Sequence, residues 1–373
     1  MTGDESGRAA GAGDAPEPRV VKGDQKFDLD RETFRARILA RAYDPAFEKI
    51  PGELERVIDV AWQAYHEYRK SPRTKPAGPE FADPSFPLPV EWLDARRRVL
   101  EAQKRHDDPA GASRILVINA SARTDQTCPG EISKTYRLTK IAREAIAGEP
   151  GVEVDFLDLS RLTAEAHLVI YPCKACVSTA QPLCHWPCSC YPNHALGQVN
   201  DWMADIYPMW IAAHGVMIVT PVNWYQSPSV LKLMIDRLVC ADGGNPDPTT
   251  TRGKDAARAK AIELAGWPYP KHLAGRAFSV VVHADAAGAE NLRRILVDWM
   301  TDLEMIPAGP VAGIDRYVGY YEPYATSHDD LDRDAAFQEE TRHAAKELVA
   351  MVRQIRSGTY RRPDEGLEEP RKK

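Results

Sequence analysis

GVMIVTPVNWYQSPSVLKLMIDRLV, residues 215–239, decides the fold. Gly215–Thr220 is apolar at every position except its last and has no polar alternation. A strand of that kind has neither face in water, which is the condition of a parallel sheet covered on both sides. Thr220-Pro-Val-Asn-Trp-Tyr-Gln-Ser-Pro228 then breaks the pattern as a turn. Ser227 is placed to cap a helix and Pro228 to take its first position. Val230, Leu231, Met234, Ile235 and Leu238 recur at the spacing of one helical face. Strand, turn and helix together predict one unit of an α/β sheet.

The same unit repeats on either side. Ile115–Ile118 predicts a strand, followed by a helix with Leu138, Ile141, Ala142, Ala145 and Ile146 on one face, ended by Gly148 and Pro150. Further strands are expected at Val152–Leu157, Ala277–His283 and, more weakly patterned, near Val311–Ile314. The helix after the fourth strand carries Leu292, Ile295, Leu296, Trp299, Met300 and Leu303 on one side. A last helix is expected over 331–356. Strands alternating with helices make a doubly wound parallel sheet, and such sheets bind ligands at the carboxyl ends of their strands.

Ahead of this unit lies different material. Residues 1–28 are rich in Gly, Ala, Pro, Asp and Glu and are read as a disordered tail. Residues 29–110 read as a helical extension, a packing or oligomerisation layer, with Val57, Ile58, Ala61, Ala64, Tyr65 and Tyr68 on one stripe. The α/β domain then spans 111–357, and 358–373 is a charged tail.

The net charge of −6 argues against nucleic acid, whose phosphates need a basic face. No apolar run approaches the roughly 18–20 residues of a membrane span. The start of the chain has no basic n-region and no apolar h-region, so a cytoplasmic protein is expected, with its seven cysteines outside structural disulfides.

Three loops hold the candidate chemistry. After the first strand there is neither G-x-G-x-x-G nor G-K-[ST], which disfavours a dinucleotide fingerprint and ATP hydrolysis. Ser121, Arg123, Thr124, Thr127, Ser133 and Thr135 instead cluster before a helix. Helix-start amides, hydroxyls and one arginine suit a terminal phosphomonoester. A polar turn with capping residues is the alternative. After the third strand, Asn223 offers an amide, and Trp224 and Tyr225 offer flat faces, as a planar heteroaromatic ring requires. After the fourth, His283-Ala-Asp-Ala-Ala-Gly288-Ala-Glu290 has residues small enough for a ring to approach the backbone.

On the S-x-R at Ser121 and Arg123 and on T-P-V-N-W-Y…S-P-S-V-L-K-L-M-I-D-R at 220–237, the segment from about 113 to 305 resembles the flavodoxin-like NAD(P)H-dependent FMN reductase family. The resemblance implies a five-stranded sheet in the order 2-1-3-4-5, FMN at the switch between strands one and three, and a homodimer or homotetramer. It implies Ser121, Arg123, Ser133 and Thr135 at the phosphate. It implies Pro221, Asn223, Trp224 and Tyr225 at the ring, with the loop of His283 and Gly288 closing the other side. The sequence departs from that family in Thr124–Ile132, an insertion in the phosphate loop. A long Cys240–His272 segment adds a possible lid or subunit contact.

Y171-P-C-K-A-C-V-S-T-A-Q-P-L-C-H-W-P-C-S-C-Y-P192 holds Cys173, Cys176, Cys184, Cys188 and Cys190, with His185 among them. Packed thiols, a zinc or iron–sulfur site and a redox pair are all open on this spacing. The expected function is an FMN-dependent oxidoreductase that takes hydride from NADPH or NADH. It passes electrons to a small acceptor: a quinone, a flavin, a nitro compound or a metal oxyanion. FMN carries the chemistry, so no side chain is assigned as catalytic. A flavin-binding electron carrier or redox sensor is the alternative.

Overall fold

The computed structural model describes residues 19–20, 29–41, 44–68, 73–123, 133–165, 167–191, 201–363 and 365–367. The tail 1–28 lies outside these apart from β1 (Arg19–Val20), which pairs with β2 (Arg73–Pro76) beside β3 (Pro87–Pro89). The insertion 124–132 lies outside them entirely.

The second sheet is the expected one. Its strands are β4 (Ser113–Asn119), β5 (Val152–Asp158), β6 (Gly215–Pro221), β7 (Ala277–Ala284), β8 (Ile306–Pro307) and β9 (Gly313–Tyr317). The order is β5-β4-β6-β7-β8, with β9 also on β7 and every pairing parallel. This is the 2-1-3-4-5 order of a flavodoxin-like fold. The fifth position holds two short strands. β8 pairs the start of β7, and a turn at Gly309–Val311 restarts the edge as β9 along its end.

The continuous apolar runs serve both faces. Leu116, Ile118, Val216, Ile218, Phe278, Val280 and Val282 point into one core with α6 (Met203–Ala212), α7 (Ser229–Arg237) and α9 (Ala289–Asp302). Ile115, Val117, Met217, Val219, Ala277 and Val281 point into the other with α4 (Lys134–Ala147) and α11 (Ala335–Arg356). At Gly215 the approach of α11 leaves no room for a side chain. A Cβ there would lie 2.8 Å from Val352 Cγ2 and 2.9 Å from Ile115 Cδ1.

Several boundaries differ from expectation. α7 starts at Ser229 with Pro228 at its cap position, so Ser227 does not cap it. The single last helix is two, α10 (Ser327–Arg333) and α11, because Asp334 turns its carboxylate onto Phe337 N at 2.9 Å and starts a new helix. Ile295 is exposed, so the buried stripe of α9 is Leu292, Leu296 and Met300. The segment after α7 is packed, not a free lid. Its α8 (Ala256–Leu264) lies against 181–183, and Asn245 exchanges backbone bonds with Trp186 (2.8 Å) and Cys184 (2.7 Å). Among the described residues no helix is long and apolar enough to cross a membrane.

In the extension, α1 (Arg31–Arg41) and α2 (Pro51–Tyr68) pack through Phe34, Trp62 and Tyr65, with ring centroids 5.1–5.7 Å apart. Ile58 and Tyr65 are buried, while Val57 is exposed. α3 (Val90–Asp107) belongs to the main body: Val99 and Ala102 enter the first core beside α6. At its end His106 stacks on His214, with centroids 4.6 Å apart. His106 Nδ1 meets Ala213 O at 3.0 Å and His214 Nε2 meets His106 O at 2.9 Å. Burial, then neighbouring Arg276 for His106 and Arg356 for His214, hold each ring near pKa 4.

This stack predicts an acid-labile joint. The folded protein keeps both rings neutral, while an unfolded histidine protonates near pH 6.5. Stability is therefore full above pH 6.5 and falls as pH drops toward 4, by on the order of 2 kcal/mol for buried His214. Thermal unfolding across that range should show the loss, and His214→Gln should flatten it while lowering the melting temperature at pH 7. A wild-type profile with no slope there would contradict the assignment.

Candidate functional site

The carboxyl ends of β4, β6, β7 and β9 carry the candidate residues. Asn119 closes β4 and donates through Nδ2 to Asp158 Oδ1 at 2.7 Å, tying it to the end of β5. Its Oδ1 is buried without a partner. Ser121 is buried, and its Oγ accepts from Arg123 N at 3.1 Å. Thr163 Oγ1 donates to Ala122 O at 2.7 Å and pins the turn from the side of α5 (Arg161–Ala164). Ser133 caps α4, its Oγ facing Tyr136 N at 3.4 Å. The start of α4 thus brings backbone amides and a serine hydroxyl to this edge.

Thr135 and His283, both expected at the ligand, meet each other. Thr135 Oγ1 lies 2.8 Å from His283 Nε2, both residues are buried, and His283 Nδ1 has no partner. Burial, then the nearby Lys134 ammonium, lowers the histidine to about 3, so the ring is neutral. The pair supports the floor of the site from below.

Lys134 was not singled out by sequence reasoning. Its Nζ reaches Asp285 Oδ1 at 2.6 Å and Val318 O at 2.9 Å, so the first residue of α4 straps the loops after β7 and β9. The only sequence signal was a lysine between two hydroxyl residues at a helix start.

The loop after β6 is a tight hairpin turn. Asn223 and Gln226 exchange backbone bonds of 2.9 and 3.0 Å around Trp224 and Tyr225. Both central residues are left-handed, at φ +49° and +67°, positions normally given to Asn-Gly. Each costs on the order of 1 kcal/mol in a non-glycine residue. Trp224 is nonetheless 93% exposed and Tyr225 60%, and the side-chain amide of Asn223 is also exposed. Pro221 ends β6 beside His283. Gly288, at φ +91°, lets the fourth loop close on this turn: a Cβ would lie 3.2 Å from Tyr225 Cα and 3.3 Å from Val222 Cγ1.

Among the described residues no three His, Cys, Asp or Glu side chains are grouped to hold an ion, which leaves the zinc and iron–sulfur options unsupported. His185 is not available as a ligand, since Nδ1 faces Ser189 Oγ at 2.5 Å and Nε2 faces Thr251 Oγ1 at 2.8 Å. Cys173, Cys176, Cys184, Cys188, Cys190 and Cys240 are free thiols. The thiols bond one another: Cys184 beside Cys176 pushes that group up to about 11, and Cys190 and burial raise Cys188. Protonated thiols are poor nucleophiles. Cys128 lies outside the described residues.

Arg237, the last residue of the 220–237 segment, is structural. Its guanidinium grips Asp201 at 3.2 and 2.5 Å and Tyr171 O at 2.8 Å, at 1% exposure.

A family model described as NADPH-dependent FMN reductase matches residues 113–318, more than half of the chain. No curated protein matches. Among solved structures, RosB with bound 8-demethyl-8-formylriboflavin-5'-phosphate is 14% identical, covers 67% of this chain and 82% of its own, and has a TM-score of 0.47. The azoreductase AzrA is 12% identical over 66% of this chain and 99% of its own, with a TM-score of 0.35. An FMN-dependent NADH-azoreductase from Bacillus anthracis str. Ames Ancestor, in complex with FMN, is 18% identical over 63% and 99%, with a TM-score of 0.34. None of these likenesses bears on substrate or partner.

Gly288→Ala tests the junction of the two loops. The left-handed backbone and the contact with Tyr225 should together cost about 1–2 kcal/mol. Thermal unfolding should show this, and tryptophan fluorescence should report the displaced Trp224. An unchanged melting temperature would mean the loops do not bear on each other.

Proposed function

The chain belongs to the NADPH-dependent FMN reductase family, and from that premise we propose that it takes hydride from NADPH or NADH and delivers electrons to a small acceptor. The Trp224–Tyr225 turn carries this reading. Two successive left-handed, non-glycine residues hold their rings in water beside a helix start. Strain kept where it serves no packing is the mark of a site shaped for a ligand.

The residues present fit FMN. The amides opening α4, with Ser121, Ser133 and Arg123, supply donors for a phosphate dianion. Asn119 Oδ1 and His283 Nδ1 are buried polar atoms without partners at the same edge. Pro221, Asn223, Trp224 and Tyr225 offer flat apolar faces and an amide for the ring. Gly288 keeps the opposite loop close without a side chain between.

When bound, FMN supplies a two-electron centre that accepts hydride and yields electrons in a second step. This chain's task is position and exclusion. The α4 start would hold the phosphate, the hairpin turn would flank the ring, and His283, neutral beside Thr135, would add no charge beneath it. Overall, the dihydronicotinamide loses one hydride. The acceptor gains two electrons and two protons, one of those protons from water. No side chain has to carry a proton.

The purified protein should show flavin absorption, release FMN on denaturation and bleach under NADPH or NADH without oxygen. Arg123→Ala should weaken FMN about 10- to 100-fold, the effect of losing a charge-assisted hydrogen bond of about 1.5–3 kcal/mol. Titration of apoprotein with FMN reads this. A wild-type protein that refuses FMN, or an Arg123→Ala variant that binds it equally, would overturn the reading.

A further inference from the structure

Tyr317 ends β9, Tyr320 and Tyr321 follow it, and none of the three has a part in the function described so far. Their exposures are 42%, 61% and 95%. Among the described residues seven aromatic side chains are exposed, and five of them, these three with Trp224 and Tyr225, lie at the site edge. Apolar rings concentrated on one edge mark a contact surface.

The tyrosine loop is held firmly. Val318 N donates to Ala284 O at 2.9 Å, Gly319 N to Asp330 Oδ2 at 2.7 Å, and Lys134 Nζ to Val318 O at 2.9 Å. Gly319 sits at φ +93°, where a Cβ would come within 2.9 Å of Ser327 O. The rings of Tyr320 and Tyr321 stand edge to face, with centroids 5.1 Å apart at 83°. The loop also joins the site. Tyr317 OH lies 3.4 Å from Ala289 N, and the adjoining Gly288 abuts Tyr225.

The three rings border a cavity of about 430 Å³ together with Asp285, Gly319 and Asp330. Its charges are already answered. Asp285 pairs with Lys134 at 2.6 Å, and Asp330 takes the Gly319 amide and faces Arg333 at 3.8 Å. Tyr317 OH is spent on Glu290 Oε2 at 2.6 Å. Flat ring faces and the exposed hydroxyls of Tyr320 and Tyr321 remain. The carboxylates of Asp285 and Asp330 on the lining disfavour an anion, while an uncharged planar ligand finds stacking surface and hydroxyl donors.

We propose that Tyr317, Tyr320 and Tyr321 form the binding arm for the electron acceptor, and that this acceptor is an uncharged, planar aromatic quinone. The assignment of the quinone as acceptor rests on the FMN reading. The quinone gains two electrons and two protons to become a hydroquinone; the dihydronicotinamide supplies the hydride and water the second proton. Metal oxyanions and free flavin phosphates, both anionic, do not suit the arm.

The test compares wild type with the Tyr320→Ala/Tyr321→Ala double variant, which leaves the Tyr317–Glu290 bond in place. With NADPH as donor, the KM for 2-methyl-1,4-naphthoquinone should rise about 10-fold, as expected for losing two ring contacts. Ferricyanide reduction, FMN content and melting temperature should not change. Equilibrium dialysis with the same quinone should show a matching loss of binding and needs no turnover. Equal dialysis curves for the two proteins, or equal losses with quinone and ferricyanide, would overturn the proposal. So would a changed sedimentation coefficient with unchanged quinone binding, since the arm would then be a contact between copies. If the wild type lacks FMN but still binds the quinone through these tyrosines, the flavin reading fails and the arm stands as a quinone-binding surface. If the wild type binds no quinone, the arm fails whatever the flavin does.

Discussion

β4 sits between β5 and β6, parallel to both, and the crossovers from β4 to β5 and from β5 to β6 run on opposite faces of the sheet. The path to β5 runs through α4, which packs on the core of Ile115, Val117 and Leu138. The path into β6 runs through α6, on the core of Leu116, Ile118 and Trp210. Parallel strands need crossovers, and crossovers of fixed hand on opposite faces must diverge above the strand ends. The divergence opens a crevice at the ends of β4 and β6. Ser121, Ser133 and the Trp224–Tyr225 turn stand around it because the strand order leaves room nowhere else.

A crevice of this kind needs rigid walls if it is to hold a ligand in one pose. The walls are tied by polar contacts between the strand ends and loops that frame it. Asn119 holds Asp158, Thr135 holds His283, and Lys134 reaches over to Asp285 and Val318. Farther back, the Arg237–Asp201 pair fixes the end of α7 to the residues before α6. Removing one partner of such a buried pair leaves the other charge unanswered and costs about 3–5 kcal/mol. A segment that reads as a binding motif can therefore end in a residue whose work is wholly structural.

The strands were legible because burial on both faces leaves an unbroken apolar run, a signal that few other structures produce; their order came from the family resemblance alone. The fifth edge showed only weakly, near Val311–Ile314, because two- and five-residue strands split by Gly309 lack the length to show a period. Trp224 and Tyr225 were visible as aromatic walls, but their left-handed backbone was not, since nothing local in Trp-Tyr demands it. Lys134 was hidden for a different reason: its partners lie 151 and 184 residues away. The cysteines were legible only as a choice among packed thiols, a metal site and a redox pair. Close spacing along the chain resembled a ligand set, yet His185 is spoken for by Ser189 and Thr251 and the thiols bond one another. Spacing fixes which ligands can meet, not whether their lone pairs are free.

The position of α3 bears on how the site is held. Sequence composition set residues 29–110 apart, but His106 and Gln103 at the end of α3 reach the amino-terminal edge of the sheet, before β6 and β7. Arg276 sits there at 3% exposure, bonded to Ile211 O at 2.7 Å and to Gln103, with no carboxylate touching it. Burial drops its pKa to about 10, a measure of how much this joint resists a second positive charge. Protonating either neighbouring histidine adds one. The end of α3 is thus fastened by neutral rings and backbone carbonyls at the edge opposite the crevice. It stiffens the strands from below and leaves the carboxyl edge, with its exposed rings, free to receive ligands.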